Sequence, residues 1–361
     1  MPPFIPGLKL AELFFHEAVQ PLMATYFPDL AYSAARLDFG SDVLGFDTPQ
    51  SRDHGWGPKG TLFVSENDYE PFCEQIVETL ANELPLSIHG YPTHFTDEGL
   101  SSSMRAVDHG PVNHWVRVTT VARFFEGYVG FDPTMPIREV DWLAVPPQRL
   151  RTIASGNVFY DGLGQLAAAQ AALRWSPHDV WHYLLANQWR RVDQEEPFMA
   201  RCGDVGDELG SRIVAIRQID ELMRLCFLIE RQYPTYYKWF GTAFSRLDCA
   251  PRLAPILTDV FEGGDWQARE ATLSQAYLIV GEMHNALAIT DHVEPDITPF
   301  FNRPYLVPHT GRFVEACWEA IRSQVVRSWP QHVGAVGQFV NSTDVLDSIA
   351  FCKGLGGLYD L

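Results

Sequence analysis

The stretch "GSDVLGFDTPQSRDHGWGPKG" (40–60) concentrates the residues with the most chemical promise: a Gly40-Ser41 pair, a polar loop, then Asp53-His54-Gly55. Small residues at the end of a strand let backbone N–H groups and the Ser41 hydroxyl approach the oxygens of a triphosphate. Carboxylates on the following strand would hold divalent ions that neutralise a transferring phosphoryl group. Two metals call for two or three acids, so this loop reads as half of a carboxylate pair with glycine at the second position. Asp42 and Asp47 could stand in for the missing acid, but beside Gly45 and Pro49 they read first as turn residues.

Histidines crowd the same part of the chain: His54, His89, His94, His109 and His114. Converging near Asp53, His54, His94 and His114 would supply a general acid and base near neutral pH, or ligands for a softer metal. Their five-residue spacings do not mark a helix face, and loop histidines often serve local hydrogen bonds.

These residues need a scaffold. Leu10, Leu13, Phe14, Ala18 and Leu22 recur at three- and four-residue steps and predict an amphipathic helix over 8–26, ended by Pro28. "YSAARLDFG" (32–40), "TLFVS" (61–65) and "HWVRVTTVARFF" (114–125) read as strands. Between them, "DYEPFCEQIVETLANEL" (68–84) sets Phe72, Ile76, Val77 and Leu80 on one helical face, and "DEGLSSSMRAVDHGP" (97–111) reads as a polar loop. After "WLAVPPQRL" the stretches 163–175, 178–200, 207–233, 235–246, 266–288 and 311–328 carry helical spacing, with a Pro-rich loop at 294–312. The expectation is an α+β protein: a mixed α/β domain over 1–155 and an all-helical domain over 156–361.

Composition narrows the partners. With 27 Lys plus Arg against 45 Asp plus Glu, the formal charge of −18 disfavours nucleic acid and acidic membranes. A small anionic substrate is compatible with it, because a local cationic cluster overrides a net charge. The six cysteines show no Cys-x-x-Cys spacing, and reduced thiols are expected. "MPPFIPGLKL" lacks the features of a signal peptide, and no run of about 18 apolar residues is present. A cytoplasmic, soluble protein acting on a small molecule is the resulting expectation; the oligomeric state is open.

The loop resembles the signature of the nucleotidyltransferase superfamily that includes polymerase beta and the antibiotic nucleotidyltransferases: Gly-Ser, a spacer, Asp-x-Asp (or Glu), and a third acid on a later strand. More closely, the chain is similar to a family described as domain of unknown function 4037. The phrases "GSDVLGFDT", "SRDHGWGP", "GYPTHF", "DGLG", "HDVW", "DELG" and "YYKWFGTAF" occur in that order, across roughly residues 8 to 305.

The resemblance implies a nucleotidyltransferase-like N-terminal domain followed by a helical bundle. It makes Gly40 and Ser41 the phosphate loop and Asp53 the first metal-binding acid. The second acid falls on Gly55 and the third on Arg117, which leaves too few carboxylates for two Mg²⁺ ions. Arg117 and His94 join the substrate-binding set. Glu195 or Glu196 would deprotonate the acceptor, as a helical-domain carboxylate does in aminoglycoside nucleotidyltransferases, and Lys238 would steady a nucleoside triphosphate.

For Glu195 and Glu196 a solvated charged face is the competing use, and for Lys238 it is snorkelling to solvent. Three functions stay open: nucleotidyl transfer to a small molecule; metal-independent acid–base chemistry on a small metabolite, using Asp53, His54 and His94; and nucleotide binding without catalysis.

Overall fold

The computed structural model describes residues 2–51, 55–98 and 101–359, and they form an α+β protein. The chain divides into two compact units, Met1–Ile137 with Arg149–Arg174, and Arg138–Gln148 with Trp175–Leu361. In this division residues 156–174 belong to the first unit and residues 138–148 to the second, where the sequence suggests a single boundary at 155.

In the first unit, α1 (Gly7–Phe14) runs through a π turn at Phe15–Val19 into α2 (Gln20–Tyr26). The wider turn buries Phe15 and Val19 beside the expected Leu10, Phe14 and Ala18. β1 (Tyr32–Arg36) and β2 (Lys59–Val64) follow, then α3 (Glu66–Glu83), whose N-cap Ser65 accepts from the Asp68 N–H. Of the four apolar α3 residues, Ile76 and Leu80 are buried and Val77 is exposed.

Two small antiparallel pairs come next: β3 (Ser87–Ile88) with β4 (Tyr91–Pro92), and β5 (Phe95–Glu98) with β6 (Ser101–Met104). The second pair lies where the sequence predicts a loop; its Ser-rich run carries no apolar alternation to reveal it. The expected strand over 114–125 is two elements, β7 (Trp115–Thr119) and α4 (Val121–Tyr128). Thr120 divides them, its hydroxyl accepting from the Arg123 N–H as a helix N-cap. After α5 (Pro147–Ser155), β8 (Asn157–Asp161) and α6 (Leu166–Ala172) complete the unit.

The sheet order is β7-β2-β1-β8, with β2 and β7 parallel and the other pairs antiparallel. Alternation gives its two faces different characters. On one face Ala34, Leu62, Val64, Val116 and Val118 pack with residues of α1 and α3 in a continuous core. The other face carries Lys59, Thr61, Trp115 and Arg117.

The second unit is helical: α7 (His178–Asp193), α8 (Phe198–Asp204), α9 (Glu208–Ile229), α10 (Tyr237–Phe244), α11 (Ala250–Glu262), α12 (Trp266–Ala286) and α13 (Gly311–Ala320), followed by shorter turns. Its core includes Trp181, Trp189, Leu222, Leu225 and Phe227. The Pro-rich stretch forms a two-residue pair, β9 (Thr298–Pro299) with β10 (Leu306–Val307), and α13 begins inside its expected end. Among the described residues no helix is long and apolar enough to cross a membrane.

Candidate functional site

Parallel pairing sets Lys59 beside Trp115 and Thr61 beside Arg117, so these four side chains share the face that α1 and α3 leave uncovered. They border a cavity of about 310 Å³, together with Arg36, Asp38, Phe39 and His114. Arg36 is 2 % exposed and holds the turn at the end of β1. It donates to both carboxylate oxygens of Asp42 at 3.1 Å and to the Phe39 carbonyl at 2.7 Å, and it pairs with Asp38.

Lys59 is a second buried cation of the cavity. Its Nζ donates to the Gly55 carbonyl and lies 5.6 Å from the ring centroid of Phe39 and 5.7 Å from that of Trp115. Burial, reinforced by Arg36 and opposed by Asp42, brings the ammonium down to about 7. Arg117 is exposed, its guanidinium 5.8 Å from the Phe124 ring centroid. Trp115 is held by a parallel stack on Phe95, with centroids 4.4 Å apart, and Phe39 is 66 % exposed at the rim.

The expected site residues divide as follows. Gly40 and Ser41 stand at the turn after β1. Gly40 has φ +148°, and a Cβ there would lie 1.9 Å from Asp42 Oδ1, so only glycine fits this turn. Asp53 and His54 lie outside the described residues. Asp42 accepts from Arg36, and Asp47 accepts from the Gly7 N–H at 2.6 Å and Trp56 Nε1 at 2.9 Å, so both are structural turn acids.

His94 Nδ1 accepts from the Asn113 N–H at 3.0 Å. His114 reaches the cavity, but its ring is committed: Nδ1 accepts from the Val116 N–H and Nε2 donates to the Val77 carbonyl. Burial lowers its pKa, in keeping with a neutral ring.

In the second unit, Glu195 is clamped by Arg217, with contacts of 2.5 and 2.9 Å. Glu196 is buried and accepts from both the backbone N–H and the hydroxyl of Thr310, at the start of α13. Burial, opposed by those Thr310 bonds, raises its carboxyl to about 7. Lys238 is exposed, 5.2 Å from the Trp239 ring centroid. Both glutamates thus have partners within their own unit.

Carboxylates are scarce in the described part of the cavity, and the expected metal-binding acid Asp53 lies outside the described residues. Asp38 is the cavity's single lining carboxylate among the described residues, and Arg36 already engages it. The positions facing inward from β2 and β7 are cationic, aromatic or hydroxyl-bearing. Sequence reasoning missed Lys59, Thr61 and Trp115; the alternation Lys59-x-Thr61 and Trp115-x-Arg117 signals a shared face once the parallel register is known.

Residues 142–240 match the family described as "Domain of unknown function (DUF4037)". The match contains "DGLG", "HDVW" and "DELG", in agreement with the resemblance read from those phrases. No curated protein matches the chain.

Proposed function

We propose that the first unit is a nucleotidyltransferase-like site that takes an anionic, phosphate-bearing small molecule through Lys59 and Arg117 rather than through a pair of divalent ions. The observation that carries this reading is the register Lys59–Trp115 and Thr61–Arg117 around one cavity, with a cation, Arg117, at the position where the resemblance expects the third acid. Charge-assisted hydrogen bonds from Lys and Arg suit phosphate oxygens. Trp115 and exposed Phe39 add aromatic surface on which a nucleobase stacks. The Gly40-Ser41 turn is within the same segment as Arg36 and Asp38. A nucleoside triphosphate is the substrate class that uses all of these parts.

Lys59 supports a catalytic use of the same pocket. An amine brought down to about 7 is poised to exchange protons at neutral pH, which favours metal-independent acid–base chemistry on the bound molecule.

The test is calorimetric titration with ATP, GTP, CTP and UTP, each in Mg²⁺ and in chelator. At least one is expected to bind in chelator, with Arg117→Ala weakening it by about 10- to 100-fold. Binding that strictly requires Mg²⁺, or that ignores Arg117→Ala, overturns the proposal.

A further inference from the structure

A second cluster with ligand chemistry lies at the start of α7. His178, Asp179 and His182 bring one donor atom each within 4.8 Å of one another, and the two imidazole rings are 4.1 Å apart. Histidines at i and i+4 share one helix face, the spacing with which a helix presents two nitrogens to a metal. Asp179 Oδ1 is 3.0 Å from His178 Nδ1. Such a separation also fits two adjacent ligands, each with a metal bond of about 2.0–2.2 Å.

His182 supplies the independent observation. It is fully buried, with Nδ1 2.8 Å from the His178 carbonyl oxygen and Nε2 3.1 Å from the Ile289 carbonyl oxygen. A neutral imidazole has one N–H. Whichever nitrogen carries it, the other turns a lone pair towards a carbonyl oxygen, an arrangement costly in a buried setting. A cation beside the bare nitrogen relieves that contact. With Nδ1–H on the His178 carbonyl, the ring has the orientation typical of a metal-binding histidine, whose second nitrogen donates to a backbone oxygen.

The neighbouring backbone and cavity agree. Ala288, at φ +51°, adopts a conformation unusual for a residue with a Cβ and immediately precedes Ile289. Asp179 Oδ2 accepts from the N–H groups of Arg322 and Ser323, which fixes the carboxylate. His178 and Ile289 open on a cavity of about 620 Å³ that Glu319 and Arg327 also line.

We propose that His178, Asp179 and His182 bind one divalent transition ion of the zinc or cobalt type, with its open coordination position facing this cavity. The mixed nitrogen and oxygen donor set selects such an ion over Mg²⁺ or Ca²⁺. Three protein ligands beside an open cavity match an ion that handles water or substrate rather than a closed structural ion.

The test is titration of the full chain with Zn²⁺ by calorimetry and with Co²⁺ by visible absorption. One ion per chain is expected, with ligand-field bands for Co²⁺. His178→Ala, at a side chain that is 52 % exposed, is expected to weaken binding by at least about 10-fold while circular dichroism stays unchanged. His178→Cys, carrying a different ligand atom, is expected to add a thiolate-to-cobalt charge-transfer band. Absence of bands in the parent, or the same affinity and spectrum in both variants, overturns the assignment, because adventitious sites would not sense residue 178.

Discussion

The Lys59 ammonium donates to the carbonyl oxygen of Gly55, four residues earlier, so the glycine at the expected second-acid position serves a cation of the cavity. Gly55 has φ +60°, and a Cβ there would meet Trp115 at 3.2 Å and Lys59 Nζ at 3.9 Å. Gly55→Asp therefore combines backbone strain with a crowded ring. It is expected to destabilise the protein by about 1 kcal/mol, read as a lower urea midpoint, and to weaken phosphate binding in chelator by setting a carboxylate beside Lys59. An unchanged midpoint would mean that Trp115 gives way freely.

The Lys59 proton links folding to pH. The unfolded amine holds its proton up to 10.5, whereas burial in the folded protein releases it at about 7. Between those values the unfolded chain binds more protons, so this group makes stability rise with pH; below 7 its burial penalty is present in full. The total is at most about 5 kcal/mol. Urea titrations from pH 7 to 10 are expected to show that rise in the parent and its loss in Lys59→Met.

Glu196 acts with the opposite slope. Burial pushes its carboxyl up to about 7 in the folded protein from the ordinary 4.5 of a glutamate, so the folded state binds more protons between them. Its contribution is present below 4.5 and is lost as pH rises through 7, by at most about 3 kcal/mol. Glu196→Gln keeps an acceptor for Thr310 without the charge. It is expected to match the parent near pH 4 and exceed it at pH 8; a variant less stable than the parent at pH 8 would show that the charge itself holds α13.

Gly40→Ala tests the turn below the cavity. The added methyl would overlap Asp42 Oδ1 and come within 2.7 Å of Arg36 Nη2, breaking the bidentate pair that fixes a buried guanidinium. A loss of about 2–4 kcal/mol is expected by chemical denaturation, together with loss of ligand binding. A loss below 1 kcal/mol would mean that the turn reshapes without the pair.

The sequence made α3 legible from Asp68 onward because its apolar residues recur at helical steps, β1 legible because a weak alternation stops at glycine, and β2 legible as a short apolar run. Three features hid from it. The β-branched run through Thr120 concealed the change from strand to helix, which rests on one hydroxyl cap. Pro251 and Pro255 obscured α11, although the first sits in its opening turn. β8 is a short strand whose residues are exposed or half-buried, so it lacks an apolar signature. At the site, Gly40 and Ser41 could be named from residue type and spacing, and Arg117 from the resemblance. Lys59 could not, because its importance comes from burial and from a parallel partner more than fifty residues away.

The return of β8 sets a condition on how the first unit can be made. β1 is an inner strand only because Asn157–Asp161 pairs along its far side. A nascent chain that has emerged only as far as residue 155 therefore exposes an open hydrogen-bonding edge on its most buried strand. That edge is a template for intermolecular pairing until the ribosome delivers the next few residues. Fragments intended to carry this unit alone should run through Arg174, since those ending at 155 are set up to aggregate.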